Sequence, residues 1–202
     1  MERSAALERI KKLEGVDIRP LADKFEVTVW KNEKINKGWF GHTIERYLGL
    51  PINSSQSPNF GSWELKTFPL KYLRNGLLVA KETMAITMID EYNLRRTSFE
   101  SSHLLNKLRK ILWVSRIFNG KDETSSILYK VAAFDLVEKW LLDEIEQDYM
   151  EVQNTLLSRG WGALTGRMGK WIQPRTKGAG HGSTTRAFYA RKEFLQLIIK
   201  KG

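Results

Sequence analysis

Residues 58–66, which read Pro-Asn-Phe-Gly-Ser-Trp-Glu-Leu-Lys, have the residue types and spacing for chemistry. The end of this segment is predicted to be a β-strand. Side chains alternate between the two faces of a strand, so Glu64 and Lys66 share one face while Trp63 and Leu65 point into the core. A carboxylate can hold a hard divalent cation, and a neighbouring ammonium can orient a water or neutralise a phosphate. This pair is typical of metal-dependent phosphodiester cleavage.

The composition indicates a globular protein of one domain or of two lobes. The chain has 202 residues, of which 42% are hydrophobic and 28% charged, and that length is sufficient for a substantial core. There is no cysteine, which excludes disulfides and thiolate metal sites. No apolar run approaches the length of a membrane span and no signal peptide is recognised, so we expect a cytoplasmic protein.

The charge is strongly positive and unevenly distributed. The net charge is +10 and the isoelectric point about 9.7, which favours polyanionic partners. No Asp or Glu lies between Glu151 and Glu193. A purely solvating surface normally mixes both signs, so this stretch predicts a phosphate-binding face. Its cations are Arg159, Arg167, Lys170, Arg175, Lys177, Arg186, Arg191 and Lys192.

Alternating helical and strand patterns predict an α/β (α+β) fold with a mixed central sheet flanked by helices. A helix is expected over residues 39–48, with Glu45 away from its apolar face. Residues 25–30 alternate like a strand. The Asn75-Gly76 turn predicts a hairpin, followed by one apolar strand over residues 77–89 at the centre of the sheet.

Further boundaries rest on capping signals. Residues 97–100 fit a capping box for a helix that ends near Arg109. Strands are expected over residues 111–118 and 127–134. Asp135 is predicted to cap a long helix that reaches Ser158 and ends at Gly160. After it, residues 171–175 are predicted to form a strand, and a last helix covers residues 193–200.

Four collinear blocks resemble a known family. They are residues 37–49, residues 64–69, residues 99–113, and residues 187–192 with the sequence Ala-Phe-Tyr-Ala-Arg-Lys. Together they resemble the family of the mismatch-repair nicking endonuclease MutH and the related restriction endonucleases that cut GATC. A lone Glu-x-Lys is weak evidence, whereas four blocks in order, over most of residues 37–195, are strong evidence.

The resemblance implies a PD-(D/E)xK nuclease fold, with two lobes around a DNA cleft, and Mg²⁺-dependent hydrolysis with one or two ions. Glu64 and Lys66 match the family's E-x-K pair, Glu45 its helix glutamate, and Lys107 a further active-site lysine. Asn59 occupies the position of the first metal-binding Asp. The implied metal ligands are Asn59, Glu64 and the carbonyl of Leu65.

The Asn59 amide binds Mg²⁺ poorly, so we expect DNA binding with strongly reduced cleavage. An engineered Asp-to-Asn change, a slow natural variant and a domain that has lost catalysis are all compatible with this residue. The family has Arg-Pro-Lys where this chain has Gln-Pro-Arg at residues 173–175, so its base contacts are expected to differ. The predicted DNA-binding residues are Lys37, Pro174, Arg175, Lys177, Arg186, Tyr189 and Arg191.

The charge pattern and the family resemblance together predict a sequence-specific endonuclease for double-stranded DNA. The preferred hypothesis is a type II restriction enzyme. The alternatives are a MutH-type repair nickase with a MutL-type partner, a non-cleaving DNA-binding effector, and a general nucleic-acid-binding protein. A monomer and a homodimer on DNA both remain open. We expect a single nuclease domain, with an N-terminal strap to about residue 36, a catalytic core over residues 37–134, and a recognition lobe over residues 135–202.

Overall fold

The computed structural model describes residues 1–50, 61–177 and 185–201. Within these ranges the chain alternates helices and strands, with 3₁₀ turns at Phe99–Ser101 and Trp161–Ala163. In chain order the elements are α1 (Arg3–Lys11), α2 (Arg19–Lys24), β1 (Trp30–Lys31), β2 (Lys34–Ile35), α3 (Trp39–Tyr47), β3 (Glu64–Tyr72), β4 (Leu78–Ala80), β5 (Met84–Met88), α4 (Glu91–Leu94), α5 (His103–Leu108), β6 (Lys110–Ile117), β7 (Leu128–Asp135), α6 (Lys139–Arg159), β8 (Ile172–Thr176), β9 (Arg186–Ala190) and α7 (Lys192–Lys201).

The largest sheet has four strands in the order β4-β3-β6-β7. Strands β3 and β6 are parallel, and the other two pairs are antiparallel. Strand β6 is buried from Ile111 to Arg116, because its largely apolar sequence lies between helices on both faces. The predicted α+β fold with a mixed central sheet and flanking helices is therefore confirmed.

Two hydrophobic clusters cover the opposite faces of this sheet. On one face, Trp63 and Leu65 pack with residues of α1, α2 and α3, including Trp39. On the other face, Phe68 and Leu70 of the same β3 strand pack with α5, α6, α7 and the second sheet. The alternation predicted from the sequence thus assigns Trp63 and Leu65 to one core, and Glu64 and Lys66 to the opposite face.

The second sheet has three antiparallel strands in the order β5-β9-β8. The prediction of one central strand over residues 77–89 is wrong. The Asn75-Gly76 hairpin does form, with Tyr72 opposite Leu78. The chain then leaves the first sheet after Ala80, and Met84 begins an edge strand of the second sheet. The two halves of the apolar run, β4 and β5, are therefore edge strands of two different sheets.

Three local expectations also fail. Residues 25–30 are not a strand, because Glu26 has φ 55° and β1 contains only Trp30 and Lys31. The helix after Phe99 begins with α5, where the Oγ of Ser102 accepts from the Leu105 amide at 3.1 Å. Asp135 ends β7 and its carboxylate binds Arg3, so α6 begins later, at Lys139.

A buried ion pair fixes the turn between β6 and β7. The guanidinium of Arg116 donates to both carboxylate oxygens of Glu123, at 2.6 and 2.8 Å, and to the Ser126 hydroxyl at 2.9 Å. Both charged side chains are buried. Among the helices of the described ranges, none is long and apolar enough to cross a membrane.

The substitution Arg116→Met should lower the free energy of unfolding by about 3–5 kcal/mol. The reason is that the buried Glu123 carboxylate would lose the guanidinium that pairs with it. Urea denaturation measures this loss. The control is Lys139→Ala, which removes the exposed pair with Asp143 and should cost about 0.5 kcal/mol. Equal losses in the two variants would contradict the prediction.

Candidate nuclease site

Glu64 is the centre of the candidate site. It is the first residue of β3 and its side chain is 1% exposed. Its register partner on the parallel strand β6 is Ile111. Parallel strands begin at the same end of a sheet, so the segment that leads into β6 lies beside Glu64. That segment is the last turn of α5, which carries Lys107 four residues before Ile111.

Two lysines contact one oxygen of this carboxylate. The Nζ of Lys66 lies 2.7 Å from Glu64 Oε1, and the Nζ of Lys107 lies 3.2 Å from the same atom. The Lys66 and Lys107 side chains are 15% and 7% exposed. The structure therefore brings together three of the predicted catalytic residues, and it does so in a largely desolvated place.

Lys66 also reaches the second sheet. Its ammonium donates to the carbonyl oxygen of Ile86 at 3.1 Å. Ile86 lies at the irregularity in the β5–β9 ladder, between Ala85 and Thr87. Such a bulge adds one residue to a strand and turns its neighbours out of the regular pattern. No feature of the sequence indicated this acceptor, because a bulge in an apolar run has no residue signature here.

The electrostatics favour an anion. Burial lowers the pKa of Lys107, repulsion from Lys66 and Lys177 lowers it further, and attraction to Glu64 opposes these effects. The pKa of Lys177 is also lowered, first by desolvation and then by repulsion from Lys66. Lys177, predicted to bind DNA, therefore repels both Lys66 and Lys107, which are predicted to be catalytic. Two ammonium groups on one carboxylate, with a third close enough to repel both, attract a group such as phosphate.

The described residues offer oxygen ligands for a hard cation. Pro69 O accepts from Lys81 N on the β4 side of β3, and Leu70 O accepts from Phe118 N on the β6 side. Carbonyls alternate along a strand, so the Leu65 carbonyl points away from β6, to an edge that β4 does not cover there. The Glu64 carboxylate and this carbonyl fit Mg²⁺, which prefers oxygen. Within the described ranges, no group of three His, Cys, Asp or Glu residues could hold a metal.

The described contacts of this cluster do not test two predicted site residues. Asn59 lies outside the described residues, so its role stays a prediction. Glu45 is half-buried at the end of α3, which packs on the face of β3 opposite to Glu64. This packing is close, because a Cβ on Gly41 would lie 3.2 Å from Thr67 Oγ1. The role of Glu45 also stays a prediction.

The predicted DNA-binding residues fall into different surroundings. Arg175 is exposed, donates to Thr83 Oγ1 at 2.9 Å, and lies 5.9 Å from the centre of the Tyr189 ring. Pro174 is buried and paired with Phe188. Arg186 is half-buried at the start of β9. Lys37 is exposed in the loop before α3. All these assignments to DNA remain predictions.

Arg191 has a structural role that the sequence did not indicate. Its guanidinium donates to the carbonyls of Gly166, Met168 and Gly169 at 2.8–3.0 Å. It thereby holds the loop before β8. With these bonds in place, the predicted contact of Arg191 with DNA is not needed to explain the residue.

Part of the acid-free stretch is neutralised by acids from α6. The Asp148 carboxylate accepts from the amides of Lys170, Trp171 and Ile172 at 2.6–2.8 Å. Glu144 pairs with the Lys170 ammonium at 2.5 Å. Burial raises the pKa of Asp148, although these three amides oppose the shift. Lys170, one of the cations of this stretch, is therefore paired with an acid from α6.

Comparison with known proteins agrees with the geometry. The family model "DNA mismatch repair enzyme MutH" matches residues 48–148, which is half of the chain and includes Glu64, Lys66 and Lys107. The chain belongs to the MutH family. This confirms the resemblance found in the sequence, and with it the restriction-endonuclease-like fold of the MutH nucleases.

Whole-length relatives support the same family. A protein from Vibrio campbellii called "DNA mismatch repair protein MutH" is 27% identical, over 96% of this chain and 92% of its own length. Proteins with the same name from Vibrio parahaemolyticus and from a Shewanella species are 28% and 27% identical, over 96% of this chain. The likeness to MutH therefore extends well beyond the catalytic strands.

The charge cluster predicts opposite changes in the titration of Lys107. In metal-free protein, the pKa of Lys107 should lie below the ordinary lysine range, because burial disfavours the ammonium. Glu64→Gln should lower it further, since the attraction is lost, and Lys66→Met should raise it, since a repulsion is lost. Lysine-selective NMR titration measures both changes. Shifts of the same sign in the two variants would contradict this arrangement.

Proposed function

We propose that this chain is a DNA endonuclease of the MutH type, which hydrolyses one strand at a short GATC-like site in mismatch repair. The observation that carries the proposal is the contact of Lys66 and Lys107 with one oxygen of buried Glu64. The relatives that bear the repair name align over 96% of the chain. This favours the repair nickase, the alternative in the sequence analysis, over the type II restriction enzyme.

The chemistry is divided among the residues of the cluster. Mg²⁺ bound by Glu64, the Leu65 carbonyl and residue 59 would polarise the scissile phosphate and lower the pKa of a bound water. Lys66 orients the attacking water. Lys107 and Lys177 stabilise the negative charge that grows on the phosphate oxygens, and they do so best where water is excluded. Glu45 supports the site from α3.

We further propose that residues 1–202 act as one nuclease domain, with an N-terminal strap, a core over residues 37–134 and a recognition lobe. Contacts of the N-terminal residues with the core support this. Arg3 pairs with Asp135 at 2.8 Å, and the Trp63 indole donates to the Met1 carbonyl at 3.1 Å. The proposed action on double-stranded DNA fits the cytoplasm, and MutL would be the expected protein partner.

Asn59→Asp should raise Mg²⁺-dependent cleavage by about two orders of magnitude, because it restores a charged metal ligand beside Glu64. Plasmid digestion with the parent chain and the variant measures this. The matched control is Asn75→Asp in the β3–β4 turn. The side-chain oxygen of Asn75 accepts from Leu77 N, so Asp keeps that bond and adds the same charge elsewhere. Equal rates for both variants would contradict the role of residue 59.

The products of the active variant separate repair from restriction. The plasmid is prepared unmethylated, hemimethylated and fully methylated at the adenine of GATC. A repair nickase should convert hemimethylated plasmid to open circles, faster with a MutL-type partner present. Linear fragments from unmodified plasmid alone would support the restriction enzyme instead. Tight, sequence-dependent binding with no cleavage by either version would support the non-cleaving effector.

A further inference from the structure

Three side chains from the three-stranded sheet meet on one of its faces. Arg175 is on β8, Tyr189 is on the central strand β9, and Thr83 immediately precedes β5. The Nη1 atom of Arg175 donates to the Thr83 hydroxyl at 2.9 Å. The guanidinium carbon lies 5.9 Å from the Tyr189 ring centre. The arginine is thus held by both other strands of its sheet.

The register explains why the arginine lies across the sheet. Arg175 is opposite Ala187, and Tyr189 is opposite Ala85 on β5, so these four side chains share a face. The side chain of Ala187 is a single methyl group, so it does not block the path of the Arg175 side chain across β9. From β8 to β5 is two strand spacings, about 10 Å. A long arginine side chain can span most of that distance, and the Thr83 hydroxyl meets it on the far side.

The neighbouring polar residue on this face is not available to a base. Gln173 is opposite Tyr189 on the same face as Arg175, but it is only 5% exposed. Arg175 is exposed and has five N–H donors, of which only the Nη1 bond to Thr83 is described. Arg175 therefore offers exposed N–H donors on this face beyond the one bonded to Thr83.

We infer that Thr83 is a positioning residue for recognition. Its hydroxyl fixes the guanidinium of Arg175 beside Tyr189, in the orientation that reads a base edge, without itself contacting the base. The inference rests on the proposed function, since it assumes that Arg175 reads DNA. An unfixed arginine loses conformational freedom when it binds, whereas one already held by Thr83 has lost most of it beforehand. Such fixation increases discrimination between bases rather than attraction to phosphates.

The test uses the full chain, which as written is expected to bind DNA with little cleavage. A pool of duplexes randomised over a short window is selected on the parent chain, so the recognition sequence need not be known. Affinities are then measured for the selected duplex and for the duplex with one base pair changed. The parent should discriminate by at least about tenfold. Thr83→Val should lose most of this ratio while binding to unrelated duplex stays unchanged.

Two further variants separate positioning from packing. Thr83→Ser keeps the hydroxyl and should keep the ratio of affinities for the selected and the changed duplex. Loss of this ratio in both the Val and the Ser variant would overturn the inference. In an Arg175→Ala background, Thr83→Val should cause no further loss, because both act through one guanidinium. If the parent selects a motif that Thr83→Val reads equally well, the inference alone fails. If the parent selects no motif, sequence-specific action fails, and the inference fails with it.

Discussion

The burial of the Glu64 carboxylate is the constraint on which the rest of the site depends. A carboxylate with 1% exposure is tolerated only with charged or hydrogen-bonding partners. Lys66 and Lys107 meet this need at a single oxygen. Removing either lysine would leave the buried Glu64 carboxylate with one cation fewer. The fold must therefore bring the carboxylate and both lysines together.

Strand β3 and the crossover that follows it supply all three of these charged side chains. Strand β3 supplies Glu64 and Lys66, and the crossover to the parallel strand β6 passes through β4, β5, α4 and α5. The crossover therefore carries the Ile86 acceptor of Lys66 on β5 and ends with Lys107 on α5. The same segment links the two sheets. Strand β5 consequently contacts the predicted catalytic residue Lys66 and pairs with β9, which carries the predicted DNA-binding residue Tyr189.

Local patterns in the sequence were sufficient where one residue type decides the outcome. The alternation around Glu64 gave the correct faces of β3, and the Asn75-Gly76 turn gave the hairpin, because both are local effects. The predictions failed where a distant partner decides. Asp135 is taken by Arg3, so it does not cap α6. In the apolar run 77–89, no residue pattern indicates that the chain leaves the first sheet after Ala80 and enters the second at Met84.

The candidate site shows the same division. Glu64, Lys66 and Lys107 could be found from motif spacing, since the family pattern preserves residue types in order. The carbonyl of Ile86, the hydroxyl of Thr83 and the acids of α6 could not, because their importance arises from tertiary contacts. A backbone carbonyl in particular has no identity in a sequence. The contacts of Asp148 and Glu144 with the segment 152–192 are likewise tertiary, since both acids precede that segment in the chain.

The two described contacts of Lys66 decide which of its N–H donors remain available. An ammonium only donates hydrogen bonds, and both of its described partners, a carboxylate and a carbonyl, only accept them. An ammonium has three N–H donors, so these two acceptors leave one donor for a further partner. Under the proposed function, the remaining donor orients the attacking water while the other two hold the ammonium in place. The position of that donor therefore depends on the second sheet, because one of the two acceptors is the Ile86 carbonyl of β5.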